Sequence, residues 1–97
     1  MSKIKWLPEA LADTERLHAF LYDKNPKAAA RAMAAILKGS EALKSMPRAG
    51  RPMPDDTERR EWFAPLNKGA YVLRYMLEDD DTPVIIRVWH CREDWRK

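Results

Sequence analysis

The hydrophobic periodicity of the chain switches from about 3.6 to about 2 at a proline-rich stretch. From Leu7 up to that stretch apolar residues recur at helical spacing; after it they alternate. From Pro8 to about Tyr22, the residues Leu7, Ala10, Leu11, Thr14, Leu17, His18 and Leu21 form one stripe with charges opposite, which predicts an amphipathic helix. Asn25-Pro26 is a second start signal, an asparagine cap followed by proline at the first helical position. The second helix is alanine-rich, with Ala29, Ala32, Met33, Ile36, Leu37 and Leu43 as its inner face. Gly39 weakens it by about 1 kcal/mol relative to alanine, and Pro47 ends it. Small alanines allow close approach, so the two helices are expected to form a hairpin.

"PRAGRPMPDDTER" reads as a loop by composition. Beyond it "RREWFAP" is a strand stopped by Pro65, and "NKG" is a turn. "AYVLRYML" alternates, with Tyr71, Leu73, Tyr75 and Leu77 on one face and Val72, Arg74 and Met76 on the other. "EDDDTP" is a hairpin connection, and "VIIRVWHC" is the last strand. At the start, "KIKWL" reads as a short strand with Ile4 and Trp6 on one side. The expected fold class is α+β in the order β-α-α-β-β-β, a helical hairpin packed on a small antiparallel sheet. The sheet's other face is expected to be free for a site.

Ninety-seven residues make one domain, 1–97, of modest stability. Hydrophobic residues at 45%, with four tryptophans, argue for a packed core rather than disorder. The excess of 18 basic over 15 acidic residues permits an anionic partner without demanding one. Cys91 is the only cysteine, which rules out an internal disulfide and fits a reducing compartment. There is no apolar signal core at the N-terminus and no run long enough for a membrane span, so a cytoplasmic, membrane-free protein is expected.

Arg60, Arg74, Arg87 and Arg92 lie on or beside the last three strands. Strand positions favour aromatic and branched residues, so Arg74 and Arg87 stand out. Such a cluster can grip phosphates or carboxylates; it can equally form cross-strand ion pairs, for instance with Glu61 or Glu78. His90, at the end of the last strand, can act as a general acid or base, or can simply satisfy a backbone carbonyl. Trp89 and Trp95 flank Arg92 and can offer stacking or cation–π contacts, or pack the core. His90-Cys91 is a poor metal pair, because neighbours on a strand point to opposite faces. Asp79, Asp80 and Asp81 fit an acidic hairpin better than a cation site. No metal or cofactor is expected.

The chain resembles the RelE/ParE superfamily of type II toxin–antitoxin toxins, on the ParE (plasmid stabilisation) side. The resemblance rests on "LPEALADTERLHAFL", "MPRAGRPMPD", "RREWF", "YVLRY" and "VIIRVWHCREDW" in that order. It implies a toxin neutralised by a cognate antitoxin, a ParD-like DNA-binding protein, and acting on DNA gyrase. RelE-like members instead cleave messenger RNA on the ribosome with strand arginines and a C-terminal tyrosine or histidine; here that chemistry would fall to His90 and Arg92. Tyr71 is followed by Val72 where RelE-like toxins carry arginine, and the C-terminal tyrosine is missing, which favours the ParE side and a non-hydrolytic toxin. The target-binding surface this implies is Arg60, Arg74, Arg87, Trp89, His90, Arg92 and Trp95. A module that only binds antitoxin, without toxicity, is the third reading.

Overall fold

The computed structural model describes residues 3–66, 69–79 and 81–93. Strand β1 (Lys5–Trp6) leads into helix α1 (Pro8–Tyr22), and helix α2 (Pro26–Ser45) returns antiparallel to it. Strands β2 (Arg51–Pro52), β3 (Arg60–Leu66), β4 (Gly69–Glu78) and β5 (Thr82–His90) follow. The sheet order is β1-β5-β4-β3-β2. Strands β3, β4 and β5 form the expected antiparallel meander. Strand β1 runs parallel to β5, with Lys5 beside Val84, so the five-stranded sheet is mixed. No helix among the described residues is long and apolar enough to cross a membrane.

The helix starts are those the sequence encodes. Proline opens α1, and the Leu7 N–H donates to Ile85 O at 2.9 Å, joining the helix start to the β5 edge. Asn25 caps α2, its Oδ1 accepting from the Lys27 and Ala28 N–H groups at 3.0 and 3.2 Å. Both buried faces are rotated from the expected stripes. In α1 the buried residues are Ala10, Asp13 and Leu17, while Leu11 is 49% exposed. In α2 Leu37 is 59% exposed, and Gly39 and Ser40 take the inward positions. A carboxylate and a glycine thus replace two leucines, and each has a reason. A Cβ on Gly39 would lie 2.6 Å from Ala64 Cβ, so the glycine lets α2 settle directly on β3. Asp13 serves the site described below.

The proline-rich loop is not wholly irregular: Arg51 and Pro52 pair with Glu61 and Arg60 as an edge strand. Pro65 does not stop β3, which continues to Leu66. Pro65 sits opposite Ala70, beyond the reach of β2, and proline is tolerated at such an edge. Tyr71, Leu73 and Tyr75 face the helices with Ile85 and Val88 and form the core. The opposite face is not simply free. Val72 is fully buried between Phe63 and Trp89 in register, and Arg74 is 8% exposed between Glu61 and Arg87. Register slips between Arg74 and Tyr75, leaving Ile86 without a partner on β4.

Candidate functional site

The candidate arginines separate onto two faces. Arg74 lies on the outer face and donates from Nε and Nη2 to Glu61 Oε2 at 3.2 and 2.9 Å. Arg87 is its neighbour in register. Both guanidinium groups approach the Trp89 ring, at 4.8 and 4.9 Å from its centroid. Arg60 belongs to the helix side with Tyr75. Its Nη1 donates to Arg48 O and Gly50 O at 3.0 and 2.9 Å. The Tyr75 hydroxyl donates to Pro47 O at 2.7 Å and accepts from the Gly50 N–H at 2.9 Å. This pair fastens the chain leaving α2, so Arg60 sits apart from the other arginines.

Asp13 is the residue that periodicity alone passes over. Strand β1 pairs with β5 only at Val84 and Ile85, and beyond it α1 flanks the same edge. There Asp13 Oδ2 accepts from the Val88 N–H at 2.9 Å and from Arg87 Nε at 2.7 Å, while Oδ1 accepts from Arg87 Nη2 at 3.1 Å. Burial pushes the Asp13 carboxyl upward in pKa. The bonds from Arg87 and Val88 and the charges of Arg87 and Arg16 outweigh it, and hold the carboxyl below its ordinary value. Hydrogen bonding and the charge of Asp13 raise Arg87 in turn. The available signal was an acid at position 13 in phase with Ala10 and Leu17.

His90 ends β5 on the helix side, its ring edge-on to Tyr71 at 5.3 Å. Its Nδ1 accepts the Arg92 N–H at 3.1 Å, so the backbone partner is a donor and not the carbonyl expected. With Nδ1 accepting, the neutral ring carries its proton on Nε2. The Cys91 N–H donates to Ala70 O at 2.9 Å, and the Ala70 N–H donates to Cys91 Sγ at 3.3 Å, which fixes the turn after β5. Arg92 is exposed, and Arg16 reaches across from α1 to Glu93 at 2.9 Å. Trp95 lies outside the described residues, as does Asp80 of the acidic hairpin. Among the described residues no three His, Cys, Asp or Glu side chains converge to hold a metal ion.

A groove opens where the hairpin overhangs the end of the sheet. It has two lobes, of about 790 and about 610 Å³, which share Leu21, Tyr71 and His90. One lobe adds Ala28, Arg31 and Leu66; the other adds Phe20, Arg92 and Glu93. His90 and Arg92 therefore meet on the helix side, while Arg74, Arg87 and Trp89 lie together on the outer face.

Residues 4–95 match the family described as ParE toxin of type II toxin-antitoxin system, parDE. The chain is 35% identical over 84 residues to Toxin RelE1 of Caulobacter vibrioides, covering 87% of each. It is 29% identical over 93 residues to putative toxin Y4kP of Sinorhizobium fredii, covering 96% of this chain and 92% of that one. Among solved structures, the fold is similar to a chain of the chromosomal ParDE TA system from P. aeruginosa, with TM-score 0.72 and 20% identity over 93% of this chain and 96% of that one. It is also similar to a chain of the toxin-antitoxin complex RelBE2 from Mycobacterium tuberculosis, with TM-score 0.61 and 25% identity over 92% and 96%.

Proposed function

The chain belongs to the ParE toxin family of type II toxin–antitoxin systems, and from that premise we propose that it inhibits DNA gyrase by binding and is neutralised by a cognate ParD-like, DNA-binding antitoxin in the cytoplasm. The reading is carried by the way the arginines are engaged. Arg74 is bonded to Glu61, Arg87 to Asp13 and Arg60 to two backbone carbonyls. Arg74 and Arg87 lie across the sheet from His90. A phosphodiester cleavage needs free cations and a base converging on one phosphate. Ion-paired arginines stacked near a tryptophan suit a binding surface better, where Trp and Arg supply anchors. We assign the target surface to Arg74, Arg87 and Trp89 on the outer face and to His90 and Arg92 at the strand end, together with Trp95, which follows in sequence; Arg60, which holds the loop after α2, is left out of it.

A second reading, a ribosome-dependent messenger-RNA endoribonuclease, is favoured by two observations. His90 and Arg92 line the same lobe, and the 35% identical relative is named a RelE toxin. Induction of the chain alone in a bacterial host separates these readings. Growth arrest with loss of plasmid supercoiling supports the gyrase reading. Codon-phased cuts in translated messages support the nuclease, and normal growth removes both and leaves an antitoxin-binding module.

A further inference from the structure

At the end of the sheet opposite His90, two neighbouring arginines reach one small cavity. Strand β3 begins there, with Arg60 beside Tyr75, whereas His90 lies beside Tyr71 near the far end of β4. The cavity has a volume of about 250 Å³ and is lined by Arg48, Arg59 and Arg60, with Met53 and Leu77 among its apolar walls. Glu58 is the one carboxylate among the lining residues, so the walls carry net positive charge. Arg60 is already oriented, because its Nη1 donates to Arg48 O and Gly50 O. Arg59 is half-buried, yet among the described residues its side chain makes neither a hydrogen bond nor an ion pair. Arg74 and Arg87 differ in this, each being bonded to a carboxylate. Taking part of a charge out of water without a partner is unfavourable. The backbone nevertheless fixes Arg59. The Met53 N–H donates to Arg59 O at 2.9 Å, and Asp55 Oδ1 accepts from the Thr57 N–H and hydroxyl at 3.2 and 2.6 Å. Within this loop Asp56 and Glu58 have φ of 59° and 63°, a region that residues other than glycine seldom occupy.

The shape and the directions of the donors select the ligand. Arg59 also lines a cavity with Val84 and Ile86 on the outer face, while Arg60 approaches from the helix side. Donors arriving from both sides suit the tetrahedral oxygens of a phosphate better than the flat pair of a carboxylate. The volume lies below the range of about 300–1,000 Å³ typical of small-molecule sites, and it is too small for a helix about 10 Å across. Pro52 lines the cavity too, and Arg51 before it is exposed, so the positive edge continues past the site. We propose that this cavity seats one phosphodiester of a nucleic-acid backbone, with Arg59 and Arg60 donating to its oxygens and Arg51 meeting a neighbouring phosphate. Arginine contacts of this kind position a protein on a nucleic acid without reading its bases. The candidate base, His90, lies at the other end of the sheet, so the site holds the backbone rather than cleaving it. On the gyrase reading the phosphate belongs to DNA and on the nuclease reading to RNA; the site itself depends on neither.

The test titrates the purified, isotope-labelled full chain with a short duplex DNA, a single-stranded RNA of matching length, a glutamate-rich peptide and inorganic phosphate. Affinity is read by fluorescence anisotropy over a range of salt concentrations, and location by amide chemical shifts. At least one oligonucleotide should shift the amides of Met53, Arg59, Arg60 and Leu77, and the tighter of the two identifies the source of the phosphate. Arg59→Gln should leave Tm unchanged, weaken that binding about tenfold and reduce the slope of log K against log salt by about one. Arg31→Gln removes an equal charge toward the opposite end of the sheet and should change affinity much less. Equal losses in the two variants, unchanged affinity in Arg59→Gln, or shifts confined to other residues would overturn the proposal. So would tighter binding of the glutamate peptide at this site, or binding of inorganic phosphate but of neither oligonucleotide. Gyrase inhibition is measured separately. Inhibition without oligonucleotide binding sinks the phosphate site alone, and binding without inhibition sinks only the gyrase reading.

Discussion

Replacing Asp13 by asparagine keeps the size of the side chain and one acceptor for the Val88 N–H, but removes the charge that holds Arg87. Two hydrogen bonds from the guanidinium, at 2.7 and 3.1 Å, lose their ionic partner. Bonds to a charged group contribute about 1.5–3 kcal/mol each, and breaking a fully buried pair costs about 3–5 kcal/mol. The Arg87 side chain is 41% exposed, whereas that of Asp13 is 6% exposed. Arg87 therefore regains water in the variant, and the net loss is about 2 kcal/mol, below the cost of breaking a fully buried pair. For a domain of this size that lowers Tm by about 8–16 °C. The pH dependence gives a sharper check. The folded-state pKa of Asp13 lies below its ordinary value, so its contribution is fully present above about pH 4 and is lost as pH falls through the lower folded value. Urea unfolding of wild type and Asp13→Asn should show the full gap at pH 7 and a closing gap in acid. A variant as stable as wild type at pH 7, or a gap that persists unchanged at low pH, would refute the assignment of Asp13 as the ionised staple between α1 and β5.

Gly39→Ala should destabilise the fold by about 1–3 kcal/mol through overpacking against Ala64, although alanine is the better helix former; a higher Tm would contradict the close approach of α2 to β3. Tyr75→Phe removes the hydroxyl that bonds Pro47 and Gly50 and should cost about 1–2 kcal/mol, with faster hydrogen exchange at the Gly50 amide. Arg92→Ala, at an exposed position, should leave thermal stability unchanged and reduce growth inhibition when the chain is induced alone. Unchanged toxicity would move the target surface away from the strand end.

The parts of this fold legible in the sequence are those whose periodicity extends over many residues. The capped helices and the meander of β3, β4 and β5 are in this class, because each repeats its signal along its whole length. Strand β2 is not, since two residues including Pro52 give no alternation, and only the register with Arg60 and Glu61 reveals it. The facing of the helices was legible to within part of a turn. Leucine at 11 and at 37 suggests burial more strongly than aspartate at 13 or glycine at 39, until the partners are known. Those partners are Arg87, 74 residues away in sequence, and Ala64 on the facing strand. Glu61 was legible as a partner for Arg74 because cross-strand pairing brings them opposite each other; Glu78 instead bonds Lys5 at 2.6 Å. The separation of Arg60 from the other arginines was not legible, because it depends on the path of the loop from Pro47 to Gly50.

The central claim, that the chain acts by binding gyrase, is tested most directly by incubating purified chain, free of antitoxin, with gyrase, ATP and relaxed plasmid, then measuring supercoiled and linear DNA after denaturation. The account predicts lost supercoiling and accumulated cleaved plasmid, both suppressed in Arg92→Ala. Full supercoiling and no cleaved DNA at a large excess of chain would contradict it.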